Sequence, residues 1–481
     1  MNSPKKILFV SDNIEHLYQF VIHGFFEELA ETSSVYLTMP EQDFASERWI
    51  EMSTRLVGVF TEVIPYKYSD RSRKYGYQLG ASLTYRHRKS ATGYQIKILE
   101  SLFGGLDIPL RLSSRRSLRV VIKNRREIFR RFLHEFPAMA RSTRPIHWAW
   151  SKFKTHYVIR GCTVNTILHH ISPHATVTLM QRQAGFVIAS LAAGEKYQIP
   201  TILIPYKWDN ASSKSPLIKK PTKMLVYNLA IKEVCARLHK MPVNDVVAVG
   251  SPEISSGKLS AKKSLGKTLP LIGATINPME AAIWIECINS LLCDPTFSLA
   301  MGEYHAVWRP YPNQSEINIQ RIREFVIDKP RIFVDEDIVS KKSHRSDGVP
   351  FGDVNKAYTR YVSLLDSAVA VVSEGTSVIV DARARGIAVI YPAFKQNAVI
   401  GSQWHRLNTS EHLKGLRETK GVFIAEDEEE LKRLVVDFLQ NPRRIPPDNS
   451  GENIFVDERT YAQRVLDVID DAIAEKSKQR D

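Results

Sequence analysis

The sequence predicts an α/β protein of two successive domains, each a parallel sheet flanked by helices, with a basic, helix-rich insertion in the first. Three observations carry that prediction. Short continuous apolar runs such as KILFVS (residues 6–11) and PTILIP (200–205) recur along the chain, as expected of strands buried on both faces. Stretches of helical period alternate with them, the rhythm of β–α–β units. A small, polar, basic segment, SSGKLSAKKSLGK (255–267), divides the series in two. With 481 residues, 43% apolar and 25% charged, the chain has the size and composition for two large globular domains. The divisions expected are 1–254, a linker at 255–268, 269–455, and a last helix at 456–481 that returns to the first domain.

Residues 6–11 read as the first strand, and 14–30 as an amphipathic helix with Leu17, Phe20, Val21, Phe25 and Leu29 on one face. Residues 34–38 are the next strand. The loop between, SDNIEH, has no G-x-G-x-x-G, which argues against a dinucleotide site of the usual kind. Asp12, Asn13 and His16 stand at the strand's carboxyl end, where they can line a cleft or cap the helix. Asp12 also ends the first apolar run too early for a secretory leader. No apolar run approaches the ~18 residues of a membrane span. The four cysteines, Cys162, Cys235, Cys287 and Cys293, lack paired spacing and have apolar neighbours. They are expected to be reduced core thiols of a cytoplasmic protein, with neither a zinc site nor disulfides.

Between residues 67 and 160 the rhythm breaks. This stretch holds 22 Lys and Arg against 5 Asp and Glu, a balance of +17, whereas the whole chain carries +14. The basic character is therefore local and calls for a local partner. RLSSRRSLRVVIKNRREIFRRFLHEF (111–136) reads as one or two helices, and IHWAWSKFKTHY sets Trp148, Trp150, Phe153 and Tyr157 beside Lys152 and Lys154. Arginine and lysine among aromatics suit an anionic membrane surface. Nucleic acid is the poorer partner, since no RNP, zinc-finger or helix-turn-helix signature is present. A solvated helix whose aromatics enter the core is the plain alternative.

From residue 175 the α/β series resumes, with strands at 175–179, 200–205, 224–227 and 246–249 and helices at 184–197 and 229–238. After the second of these strands comes YKWDNASSK. Asp209 there can take a proton and Lys214 can meet a phosphate, although an Asx-turn with a solvated lysine also fits. Beyond the linker, strands are expected at 269–274, 304–308 and 331–335, with helices at 278–292 and 355–365. Arg309 ends one of these strands in RPYP, placed for a bidentate phosphate contact. Asp335-Glu336-Asp337 is formally D-x-D but reads better as an exposed acidic turn than as a metal site.

The most informative stretch is 368–394, AVAVVSEGTSVIVDARARGIAVIYPAF. It reads as a strand, a polar turn of Ser373, Glu374, Gly375, Thr376 and Ser377, a short helix stopped at Gly386, and a second strand. Thr376 or Ser377 can cap the helix beside free amides, a seat for phosphate at the end of a parallel strand. Asp381 follows at the reach of a sugar hydroxyl. A helix at 426–439 and a last one at 458–474 complete the series.

Two α/β domains, a linker and a returning helix resemble the GT-B glycosyltransferase architecture, in which both domains are Rossmann-like. QIPTILIPYKWDNASSK resembles the first-domain cleft loop of bacterial surface-polysaccharide transferases. VWRPYP resembles the R-P-H-P loop of the CDP-glycerol glycerophosphotransferase relatives, with Tyr311 in place of histidine, and VVSEGTSVIVDARARGIAVIYP resembles their donor-phosphate helix. The resemblance implies a nucleotide-sugar donor on the second domain and a glycan or lipid-linked acceptor against the first, at the inner face of the plasma membrane. It further implies Asp209 or His16 as base, with Arg309, Lys214, Asp381 and residues 373–377 on the donor. Neither a metal nor a cofactor is called for. A nucleotide-sugar 2-epimerase shares this double fold, and a non-catalytic polyanion- or lipid-binding protein could reuse it.

Overall fold

The computed structural model describes residues 4–86, 124–141, 144–180, 185–208, 216–252, 268–273, 278–297, 304–310, 316–335, 351–375, 377–397, 399, 402–446 and 457–478. The first sheet contains β1 (Lys5–Val10), β2 (Ser33–Pro40), β3 (Phe60–Tyr66), β4 (Ala175–Met180), β5 (Thr201–Pro205), β6 (Lys223–Val226) and β7 (Val246–Ala248). Their order is β3-β2-β1-β4-β5-β6-β7, with every neighbouring pair parallel. The second sheet contains β8 (Thr268–Gly273), β9 (His305–Pro310), β10 (Ile332–Val334), β11 (Ala370–Ser373), β12 (Ala388–Pro392) and β13 (Val422–Ala425). It runs β10-β9-β8-β11-β12-β13, again all parallel. Each order steps outward from its first strand one way and then the other, the doubly wound plan that opens a crevice at the strands' carboxyl ends.

The central strands are apolar throughout because helices cover both faces of each sheet. In the first domain one face carries α1 (Tyr18–Ile22), α2 (Phe25–Ala30), the short α3 (Glu41–Phe44) and α4 (Glu47–Arg55). The helix expected over 14–30 is broken, since Gly24 takes φ +67° between α1 and α2. β3 escapes the sequence reading because it is an edge strand, with Thr61 and Glu62 exposed. The basic insertion supplies α5 (Asp70–Arg86), α6 (Arg125–Arg141) and α7 (Arg144–Arg160). The opposite face of the sheet carries α8 (Val164–Ile171), α9 (Gly185–Tyr197) and α10 (Leu229–His239). The insertion packs on α9 with little room: a Cβ on Gly185 would stand 1.8 Å from Tyr68 Oη and 2.8 Å from Val158 Cγ1. Tyr157, assigned from sequence to a membrane face, packs within the insertion on α5. Its hydroxyl accepts from Arg71 Nη1 at 3.2 Å, and its ring stands edge-on to Tyr75 at 5.3 Å. The side chains of Trp148 and Trp150 lie outside the description.

The second domain packs α11 (Pro278–Cys293), α12 (Glu316–Val326) and, later in the chain, α16 (Glu428–Gln440) on one face of its sheet. The other face holds α13 (Phe351–Asp366) and α14 (Val378–Ala384), with α15 (Gln403–Thr409) beside them. Gly386 closes α14 at φ +69°, a left-handed conformation that suits glycine. The last helix, α17 (Tyr461–Lys478), lies on the first domain, burying Tyr461, Val465, Ile469 and Ala472 among Phe9, Phe20, Phe25 and Val177. Lys223 of β6 ties its far end through Glu475 at 2.9 Å. Cys162, Cys235 and Cys287 are buried, but Cys293 is exposed at the end of α11, contrary to the expectation of four core thiols. Among the described residues no helix is long and apolar enough to cross a membrane.

Candidate functional site

The domains meet at the carboxyl ends of their strands, and the first wall begins after β1. Asn13 caps a helical turn by accepting from the Glu15 amide at 2.8 Å, while Asp43 accepts from the Ile14 amide at 3.0 Å. That geometry fixes His16, which is 3% exposed, with Nδ1 2.7 Å from Asp12 Oδ1 and its ring 4.6 Å from that of Tyr206. The contact sets the Asp12 carboxylate beside Nδ1 without the alignment of a hydrogen bond. The Tyr206 carbonyl accepts from Gln19 Nε2 at 3.3 Å and from Tyr227 Oη at 3.0 Å, so the loops after β1, β5 and β6 are tied together. Trp208 leads toward residue 209 from inside the domain boundary. It is 5% exposed, packs with the second-domain cluster of Ile379 and Leu413, and stands edge-on to His412 at 5.2 Å. Asp209 and Lys214 lie outside the described residues.

In the second domain, Arg309 stands buried at the end of β9. Its guanidinium pairs with Asp335, reaches the Ala357 carbonyl at 3.5 Å and lies 5.3 Å from the centre of the Tyr361 ring. Tyr361 Oη donates to Asp381 Oδ2 at 2.8 Å. Arg309 and Asp381 were separate candidates in the sequence, and here one tyrosine on α13 joins them. Tyr361 was not singled out there, since a tyrosine on an amphipathic helix gives no local sign of such a link. The exposed acidic turn expected at Asp335 requires correction: its side chain is 14% exposed because it neutralises Arg309. Glu336 and Asp337 lie outside the described residues. Arg309 therefore already has an anionic partner, and any phosphate would join that pair.

The turn after β11 differs from its reading. Ser373 and Glu374, expected to face a ligand, are 0% and 1% exposed and belong to the domain interior. Ser373 Oγ donates to the Glu374 carbonyl at 3.0 Å. The Glu374 carboxyl is pushed well above its ordinary value by burial, then by the Glu280 carboxylate. Burial also raises Glu280 to about 7, opposed by a hydrogen bond from the Gln403 amide and by the charge of Arg406. Gly375 donates its amide to Gln403 Oε1 at 3.3 Å, and that oxygen also accepts from Tyr391 Oη at 2.7 Å. A Cβ on Gly375 would stand 3.1 Å from Tyr391 Oη, so the turn is pressed against the interior. Ser377 opens α14 in helical conformation and makes no side-chain cap, which corrects that expectation for Ser377. Thr376 lies outside the described residues.

No protein-family model matches the sequence, and no curated protein does. Solved structures do match. A protein from Listeria monocytogenes, provisionally assigned as a UDP-N-acetylglucosamine 2-epimerase, is 11% identical over 98% of each chain with a TM-score of 0.50. The UDP-GlcNAc 2-epimerase of Methanocaldococcus jannaschii is 9% identical, covers 96% of this chain and 99% of its own, and has a TM-score of 0.48. The glycotransferase of kitacinnamycin is 11% identical over 98% of this chain and 96% of its own, at 0.40. At such identity the likeness concerns the fold: two Rossmann-like domains in the GT-B arrangement.

Proposed function

We propose that the chain is a glycosyltransferase that moves a sugar from a nucleotide-sugar donor to a cell-surface glycan or lipid-linked acceptor, with region 67–160 turned toward an anionic membrane. The observation that carries this reading is a polar group at the strand ends of each domain: His16 beside Asp12 on the first, and Arg309 joined through Tyr361 to Asp381 on the second. In this reading the donor diphosphate lies near Arg309 and the Gly375–Ser377 turn, with Lys214 adding charge. Asp381 takes a ribose hydroxyl while keeping Tyr361. The acceptor oxygen attacks the anomeric carbon, the bond from that carbon to the diphosphate oxygen breaks, and the nucleoside diphosphate leaves with the electron pair. The acceptor's proton passes to His16 or to Asp209. A second reading, a nucleotide-sugar 2-epimerase, draws on the double fold that the Listeria protein shares.

The test begins with nucleotide sugars and a thermal shift, since a ligand at 100 times its Kd adds about 2.7 kcal/mol to apparent stability. The stabilising donor is then followed with and without membrane extract as acceptor source. Nucleoside diphosphate release that needs the extract supports transfer. A C2 epimer formed without acceptor supports the second reading, and no shift with any donor removes both. His16→Ala and Asp209→Asn should each retain donor binding. The one that lowers turnover by about 100-fold or more is the base.

A further inference from the structure

Helix α6 carries an exposed apolar stripe. Phe129, Leu133 and Phe136 are 61%, 54% and 51% exposed, and their spacing puts them on one line along the helix. Arg125, Arg126, Arg130 and His134 are exposed beside them. Both carboxylates of the helix are more sheltered: Glu127, 33% exposed, holds Arg130 and Arg131, and Glu135 is 22% exposed. The outward face is thus apolar and cationic. On α7, Phe153 is 63% exposed as well.

We propose that α6 is the element that docks on anionic lipid, its Phe129–Leu133–Phe136 stripe entering the headgroup boundary while Arg125, Arg126 and Arg130 meet lipid phosphates. This rests on the reading of region 67–160 as membrane-facing and assigns that role to one helix. A short amphipathic helix with arginines flanking an apolar stripe lies in the plane of the interface, and these 17 residues span about 25 Å. Charge complementarity selects the occupant. A second copy docked across a two-fold axis would set arginine against arginine. A polynucleotide would satisfy the arginines but gain little from Leu133, which has no face for base stacking.

The experiment uses the full chain, co-sedimented with phosphatidylcholine vesicles that contain either no anionic lipid or about 30 mol% phosphatidylglycerol. The wild type should partition at least tenfold more onto the anionic vesicles, and less as salt rises. Phe129→Ser/Leu133→Ser/Phe136→Ser should lower that partition tenfold or more without altering circular dichroism, because all three side chains are more than half exposed. If the wild type ignores anionic vesicles, the membrane reading of the whole region fails. If the triple variant binds as the wild type does, that reading survives and the assignment to α6 is overturned. Phe129→Trp guards against misfolding of the triple variant: brominated anionic lipid should quench the added fluorescence, and no added quenching overturns the proposal. Single-stranded RNA that displaces the protein from anionic vesicles at lower phosphate concentration than free anionic vesicles do would also overturn it.

Discussion

Burial holds the Glu280 carboxyl at about 7 against an ordinary 4.5, which makes this side chain a determinant of how stability varies with pH. The folded protein keeps a proton there that the unfolded chain releases above about pH 4.5. Its contribution is complete below that pH and is lost as pH rises through about 7, on the order of 3 kcal/mol in all. Glu374 is shifted in the same direction and adds to the slope. Glu280→Gln should therefore flatten the fall of Tm between pH 5 and 8 and melt above the wild type at pH 8, checked by calorimetry across that range. An unchanged slope would place the linkage elsewhere. None of this was legible locally. SEGTS reads as a polar turn, and the groups that act on the Glu374 carboxyl, Glu280, Arg406 and Trp284, lie far away in sequence. Arg309 and Asp381 were visible as strand-end and helix residues, while their connection needed a third side chain from α13.

Elements were easier to read than their surroundings. Strands buried on both faces announce themselves as apolar runs, so β1, β5, β11 and β12 stand out, whereas the edge strand β3 carries polar residues and is hidden. In the basic insertion, composition identifies helices and their charge, but periodicity cannot say which side another helix will cover. Tyr157 therefore looked like a surface aromatic and packs on Tyr75, while the α6 stripe passed unremarked. The insertion's seat on α9 yields a prediction. A methyl group at Gly185 has no space beside Tyr68 Oη and Val158. Gly185→Ala should cost about 1–3 kcal/mol, the usual range for overpacking, and Tyr68→Phe in the same chain should restore part of it. Chemical denaturation of the single and double variants measures both.

For the whole molecule, the apolar runs and the linker composition made two parallel sheets legible, while the seam between them was not. Trp208 and Tyr227 of the first domain are buried in a cluster formed mainly by the second. The pairing of Arg237 with Glu411, whose side chain is 3% exposed, crosses the same seam at 3.2 Å. Such contacts join residues far apart in sequence, so no local pattern encodes them. The first domain also depends on α17. Val465 is 0% exposed within its core, so Val465→Asp should unfold or greatly loosen that domain, at about 3 kcal/mol or more. Limited proteolysis should then cut within residues 4–252 before the second domain. Equal resistance in both would show that α17 is dispensable.

The crossing of α17 has a further consequence during synthesis. The strands of the first sheet leave the ribosome in order, yet Phe20 and Phe25 must wait for Tyr461, which is translated more than 200 residues after β7. The second domain, contiguous from β8 to α16, can close while the first is still open on one face. Vectorial synthesis therefore reverses the expected order, completing the later domain first. Until α17 emerges, an apolar surface of the earlier domain remains available to a chaperone.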